Sequence, residues 1–553
     1  MPAHHGAAHH GAADHGAGGP ASGPALAESR AAAGGPRVRA GPSRAWRMAE
    51  YLLVGVLGLL VLVVHDVGYL LHQPFWTDEA WVAVTTRFPL SQLPATTSST
   101  PIGWAVLLRL VTVRGEQTSR LLPLAFAGAA VVIAYWFARR LGWPRPESSV
   151  AAGLLAAIAV LLVPAMLVRD DLKQYTADAC LALLVLALTS RLERHWSRWG
   201  LAALSVAVWG GMLFSEAAAF AGAAAFGAVC LVQLARRAWR RLAEAAVAGA
   251  ATAVLGAAVY EAFDARAVVP GLTAYWSGFY VPVAQGLHAD ASFVVSHFGA
   301  VGSYFGLGPA WLAIPLVVAG LVTIFRLGRP ATALAVAAIW VEMITLSALR
   351  KYPFLDLRTS TFLFAVTAAV AAIGVVGVCS LLRPWLRGAL AAGLAVAAVL
   401  AFAVGSGPYL RSHLIPNEDV RDQARYVAAH AAPGDVILVN MSSNWGFAYY
   451  WPVGQPSRRP DPVVLQGYEA YFPGQPRIVV ASNRDQAGVD AALAQALAQA
   501  RQRTCSRIWL VRTHLTTPER QAWRTALRAQ KLTDTRVGHD GLSVIQVGGP
   551  ACR

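Results

Sequence analysis

Two acids stand side by side in PFWTDEAWVA, residues 74–83, directly after a long apolar run: Asp78 and Glu79, flanked by Trp76 and Trp81. A carboxylate can take a proton from a hydroxyl or ligate a metal ion. Ionisable groups near lipid are costly, and they mark function when they face a cavity. A second cluster lies in VRDDLKQYTAD, residues 168–178, with Asp170, Asp171, Lys173, Tyr175 and Asp178. A third lies in LRKYPFLDLR, residues 349–358, with Lys351, Tyr352 and Arg358, while Arg120 opens another apolar stretch and Glu216 sits between two more. Guanidinium groups present a fork of donors that suits phosphate. Acids from two segments with cations from three others describe a site for a phosphorylated, lipid-borne substrate.

The elements that must position these residues belong to a membrane protein. Of 553 residues, 56% are hydrophobic and 14% charged, against about 25% charged in soluble domains. Apolar segments recur from Tyr51 to about Val404, giving about eleven spans, each long enough for a hydrocarbon core of about 30 Å. The net charge of +16 does not mark a nucleic-acid binder. The basic residues cluster between spans, as in ARRLGWPR, RLERHWSR and ARRAWRRL, which is the positive-inside pattern of a multi-pass protein. With those clusters held inside, the N-terminus is cytoplasmic and segments 73–119 and 262–305 are long outer loops. The odd span count places the C-terminus outside. All three clusters then fall on the outer face, in a cell-membrane protein surrounded by lipid.

Three regions are expected. Residues 1–45 are rich in His, Gly, Ala and Pro and read as a disordered cytoplasmic tail. Residues 46–408 form the polytopic α-helical part. Residues 409–553 change character: strands such as VILVN and RIWLVR alternate with amphipathic helices, describing a small extracytoplasmic α/β domain. Cys180, Cys230 and Cys379 fall in apolar runs, whereas Cys505 and Cys552 can form a disulfide if that domain lies in an oxidising compartment.

Four stretches in order, FWTDEAW, SRLLPLAFAGAAVVIAYWFARRLG, DLKQYTADACLALLVLAL and YPFLDLRTSTFLF, resemble the GT-C class of membrane glycosyltransferases. The similarity is to the protein O-mannosyltransferase group (glycosyltransferase family 39) and the related bacterial enzymes that move aminoarabinose onto lipid A. It covers about residues 50–400 and implies transfer of a sugar from a polyprenyl-phosphate donor to a hydroxyl on a glycan, lipid or protein acceptor, outside the cytoplasm and with inversion. The resemblance makes Asp78 the catalytic base, with Glu79 orienting it or the acceptor. Donor phosphate or sugar is expected at Asp170, Asp171, Lys173, Tyr175, Arg358, Lys351 and Arg120, and a divalent metal, if one is used, at Asp78 and Asp171.

Other readings stay open at this stage. Trp76 and Trp81 suit interfacial anchors. Asp178 either lines the cavity or caps a helix, and Glu342, a lone acid inside an apolar run, either lines the cavity or neutralises a buried base. Relatives carry His-Pro-Pro or Lys-Pro-Pro after the first-loop acid, where this chain has SSTPIGW, residues 98–104. The C-terminal part does not match the sugar-binding repeats of the eukaryotic mannosyltransferases. A transporter or lipid flippase, or a non-catalytic scaffold with an outer binding domain, are the rival classes.

Overall fold

The computed structural model describes residues 44–96, 100–112, 115–167, 172–265, 270–304, 310–381, 396–405, 418–452, 457–460, 468–539 and 541–548, with single residues at 393 and 407. Residues 51–553 form one compact unit. The tail 1–43, Asp170, Asp171 and Cys552 lie outside the described residues.

Among the described residues, seven helices are long and apolar enough to cross a membrane: Arg44–Val64, Glu116–Arg139, Tyr175–Arg194, Ala217–Ala235, Trp239–Phe263, Pro330–Ala348 and Thr361–Leu381. Shorter helices, including Pro146–Leu161, Arg198–Met212, Ala310–Arg326 and an apolar stretch Val396–Gly405, occupy the remaining expected spans in order. In hydrocarbon the backbone must satisfy its own hydrogen bonds, so long apolar runs form helices. The protein is a multi-pass, mostly helical membrane protein carrying a small C-terminal sheet.

Thr361–Leu381 is the hub: 94% of its apolar window is buried, against 11% for Trp239–Phe263, whose valines and leucines remain for lipid. The hub packs closely because small residues remove side chains from its contact with Ala310–Arg326. A Cβ on Gly374 would lie 2.1 Å from the Leu316 carbonyl oxygen, and one on Gly320 would lie 2.1 Å from that of Val370. Small residues let backbones approach in this way.

The first span ends at Val64. The helix stops before Asp66, which takes a left-handed φ of 43° and accepts a hydrogen bond from Tyr69 N at 3.3 Å, capping a separate turn, Val67–His72. The long segments expected as loops are also structured. Residues 73–119 contain helices Thr77–Thr85, Ile102–Thr112 and Glu116–Ser119, and 262–305 contain Pro270–Tyr275 and Leu287–Tyr304.

Among the described residues the C-terminal region has seven strands: β1 Val436–Val439, β2 Ser457–Pro460, β3 Tyr468–Tyr471, β4 Ile478–Val480, β5 Cys505–Val511, β6 Asp534–Arg536 and β7 Ser543–Gly548. Five form one sheet in the order β4-β1-β5-β7-β6, while β2 and β3 pair separately. The strands β4, β1 and β5 are parallel, with β7 antiparallel to β5. One face buries helices Gln486–Ala500 and Thr517–Ala529 against Leu438, Val479 and Leu510. The other face is continuous with the membrane-side helices: Val439, Trp509 and Phe447 share a core with Phe75, Trp81, Val82 and Trp104. The sheet is therefore welded onto the 73–112 segment rather than standing alone. Cys505 is disulfide-bonded, and Cys180, Cys230 and Cys379 are free thiols.

Replacing Gly374 by Val should lower the thermal midpoint of the detergent-purified protein, because overpacking costs about 1–3 kcal/mol. The control Gly227→Ala, where a new Cβ meets nothing within 4 Å, should leave the melt unchanged.

Candidate functional site

The site begins at the N-terminus of helix Thr77–Thr85. Its first backbone N–H has no partner within the helix. That donor goes instead to Glu418 of the C-terminal region: Thr77 N donates to Glu418 Oε2 at 2.8 Å. The Thr77 hydroxyl lies 2.9 Å from both Glu418 Oε2 and the Ser442 carbonyl oxygen. Just upstream, Phe75 N donates to the Tyr450 hydroxyl at 2.7 Å. The helix start is thus gripped from the sheet side.

From this start the two acids diverge. Glu79 is 0% exposed and faces Arg120, itself 1% exposed. Arg120 Nε donates to Glu79 Oε1 at 2.9 Å and Nη2 pairs with Oε2. The remaining guanidinium hydrogens go to the carbonyl oxygens of Leu70, Gln73 and Pro74. Both residues were expected at the site; the structure places them inside the protein, each committed to the other. They fix the turn that leads into the helix.

Asp78 instead lines a cavity of about 1350 Å³. Its Oδ2 accepts from Arg358 Nη1 at 2.7 Å and lies 3.8 Å from Lys173 Nζ. Arg358 also donates to the Tyr275 hydroxyl at 2.5 Å and sits 5.1 Å from the Trp276 ring centroid. Burial works to lower the Arg358 pKa, but Tyr175, Asp78 and Tyr275 around it prevail and hold it above the usual value. Lys173 stands 4.6 Å over the Trp81 ring. Trp76 and Trp81, expected as interfacial anchors, are instead buried cavity walls, because the segment around them folds into the shared core.

Tyr175, Lys351, Tyr352 and Glu216 line the same cavity. Asp178 does not; it is buried, near Ser215 and the start of the helix Ala217–Ala235, and its Oδ1 has no hydrogen-bond partner among the described residues. Glu342 does not line it either, and its Oε2 has no hydrogen-bond partner among the described residues.

The cavity also has a wall that sequence reasoning missed. Arg484 and His514 line it from the C-terminal domain. They follow the carboxyl ends of β4 and β5, the edge where ligands bind parallel sheets. His514 Nδ1 donates to Glu418 Oε1 at 2.6 Å. That bond raises the His514 pKa above its ordinary 6.5; burial and the nearby Arg484 oppose the rise, and the charges of Glu418 and Asp78 assist it.

A metal at this place would need several carboxylate or imidazole donors. Among the described residues no three His, Cys, Asp or Glu side chains gather for one. Asp78 Oδ2 is already shared by two cations. Asp171, the other ligand expected for a metal, lies outside the described residues.

No family model matches this sequence, and no curated protein does. The apo crystal structure of ArnT from Cupriavidus metallidurans superposes with a TM-score of 0.53 at 14% identity, covering 91% of this chain and 100% of that one. This chain has the GT-C fold. The oligosaccharyltransferase of Archaeoglobus fulgidus in its apo form gives a TM-score of 0.49 at 12% identity, over 84% of this chain and 70% of that one.

Two measurements follow. Glu79→Gln leaves a buried guanidinium without its counter-charge, a loss of about 3–5 kcal/mol, so the purified protein should melt markedly earlier than wild type, whereas Asp78→Asn, at a carboxylate 16% exposed to the cavity, should lower the melt less. The raised His514 pKa means that its pairing with Glu418 is complete below pH 6.5 and weakens as pH rises through the raised value. Melting curves across that range should therefore show a decline in wild type that Glu418→Gln lacks.

Proposed function

We propose that the protein is a glycosyltransferase that moves a sugar from a polyprenyl-phosphate donor to an acceptor hydroxyl on the extracytoplasmic side of the cell membrane. The observation that carries this reading is the position of Asp78. It lies 2.7 Å from Arg358 and 3.8 Å from Lys173, in a cavity that continues into a groove lined by Val208, Gly222, Phe226, Gly249, Ala253 and Gly256. Carboxylate, phosphate-binding cations and an apolar trough meet in one space. The GT-C fold supports it, and ArnT has also been crystallised bound to undecaprenyl phosphate.

The trough takes the prenyl chain, and small residues leave room for it. Arg358 and Lys173 receive the phosphate; Tyr275 and Trp276 keep the guanidinium in place. The arriving phosphate competes with Asp78 for both cations and releases the carboxylate. The acceptor oxygen then attacks the anomeric carbon opposite the phosphate and forms the new C–O bond. The anomeric carbon–phosphate oxygen bond breaks, its electron pair staying on the phosphate, and the acceptor proton passes to Asp78. The cations steady the charge gathering on the leaving phosphate. Single displacement inverts the anomeric configuration.

The basic turns support one orientation for this reading. Arg139 and Arg140, Arg194 and Arg198, Arg236 and Arg240, and Arg326 and Arg329 flank the helix connections opposite those that carry the site. The positive-inside tendency assigns that end to the cytoplasm, and the cavity with the sheet to the other side.

Purified protein is incubated with a panel of labelled polyprenyl-phosphate pentoses and hexoses and with envelope acceptors. One donor should be consumed. Asp78→Asn should cut transfer by about 10²–10⁴-fold while still binding undecaprenyl phosphate, and Arg358→Ala should lose that binding. Full transfer by Asp78→Asn removes the carboxylate from the reaction.

A further inference from the structure

The C-terminal domain does more than cover the cavity. His514 stands at the end of β5 with a left-handed φ of 49°, a conformation that costs a non-glycine residue energy and persists when its surroundings impose it. Its ring is held by Glu418. This carboxylate is only 4% exposed and divides its oxygens between two tasks: Oε1 accepts from His514 Nδ1 at 2.6 Å, and Oε2 accepts from Thr77 N at 2.8 Å. One buried carboxylate therefore sets the imidazole and the helix start beside Asp78 at once.

The chemistry of the ring follows. An ionised carboxylate only accepts, so Nδ1 carries the hydrogen. Nε2 is then the remaining ring nitrogen on a residue that lines the cavity, with no partner among the described residues. A histidine fixed through one nitrogen by a carboxylate offers the other in a set direction. The position also differs from the donor's: Arg358 and Lys173 come from membrane-side segments, whereas His514 and Arg484 come from the carboxyl edge of the parallel strands.

We infer that His514 is an acceptor-side residue: its Nε2 holds a second polar group of the acceptor while Asp78 takes the reacting proton, and Glu418 is the positioning residue that aims the ring. The inference rests on the transferase reading above.

Two substitutions separate contact from scaffolding. His514→Asn keeps an amide N–H near the place of Nδ1, so Glu418 retains its donor, but it lacks anything at Nε2. His514→Gln reaches the place of Nε2 and leaves Glu418 without its partner. The full-length protein in nanodiscs is given the labelled undecaprenyl-phosphate sugar that the wild type consumes, with solubilised envelope acceptors. Label on acceptor and label released as free sugar by water are counted separately, and undecaprenyl phosphate binding is measured in parallel. His514→Asn should lose acceptor transfer by about tenfold, the scale of one net hydrogen bond, with hydrolysis and undecaprenyl phosphate binding unchanged; His514→Gln should regain part of the transfer. Transfer by His514→Asn equal to wild type would show that the ring serves only Glu418 and overturns the inference. So does a parallel fall in transfer, hydrolysis and binding, which marks a lost domain contact. If the wild type consumes no donor and does not bind undecaprenyl phosphate, the transferase reading fails first, and this inference falls with it.

Discussion

Successive residues on an α-helix point about 100° apart, and that angle is what the structure turns into a site. Once the start of helix Thr77–Thr85 is fixed, Glu79 must point into the protein if Asp78 points into the cavity. The inward position is held by the buried pair of Glu79 with Arg120. Taking two charges out of water is expensive, and the pair is kept only where the remaining donors are also satisfied. Arg120 meets that condition by donating to three carbonyl oxygens of the turn before the helix. The turn, the helix register and the direction of Asp78 are thereby a single constraint.

That constraint extends to the C-terminal sheet. Glu418 and Ser442 receive the Thr77 donors, and Arg421 and the Tyr450 hydroxyl both reach Glu116, at 2.6 and 2.5 Å. Beneath these polar contacts, aromatic and aliphatic side chains from both parts form one core. Burial of that extent makes the sheet part of the site's frame. Its carboxyl edge, which in an open parallel sheet is the ligand edge, consequently becomes a wall of the cavity.

The membrane helices were legible because their signal is local: apolar runs of sufficient length, punctuated by arginine turns. Asp78, Lys173, Tyr175, Lys351 and Arg358 were also legible, since an ionisable residue beside a span stands out against an apolar background; the structure brings these five to one cavity. Glu79 and Arg120 carried the same signal, yet they pair with each other. Distinguishing Asp78 from Glu79 required the helix register, which depends on contacts 341 positions away in the chain. His514, in LVRTHLTTPER, looks like an ordinary loop residue. The available signal was its place just after a buried strand, and it had meaning only once that strand was known to be parallel to its neighbour. Tyr275 and Trp276 were hidden in an aromatic-rich segment with no period.

In the transfer proposed for this cavity, the resting pair of Asp78 with Arg358 also sets an order of events. An anionic carboxylate and a guanidinium 2.7 Å apart satisfy one another, so before the donor arrives the base is occupied and the phosphate site is already neutralised. Neither charge is left uncompensated beside lipid, where that would be costly. A donor phosphate offers Arg358 and Lys173 a stronger, multidentate partner, and the carboxylate it displaces turns from a counter-ion into a proton acceptor. The base becomes available only when a leaving group is in place. With the prenyl chain filling the trough, water is also excluded at that moment. The same two cations that hold the donor therefore suppress acid–base chemistry in its absence.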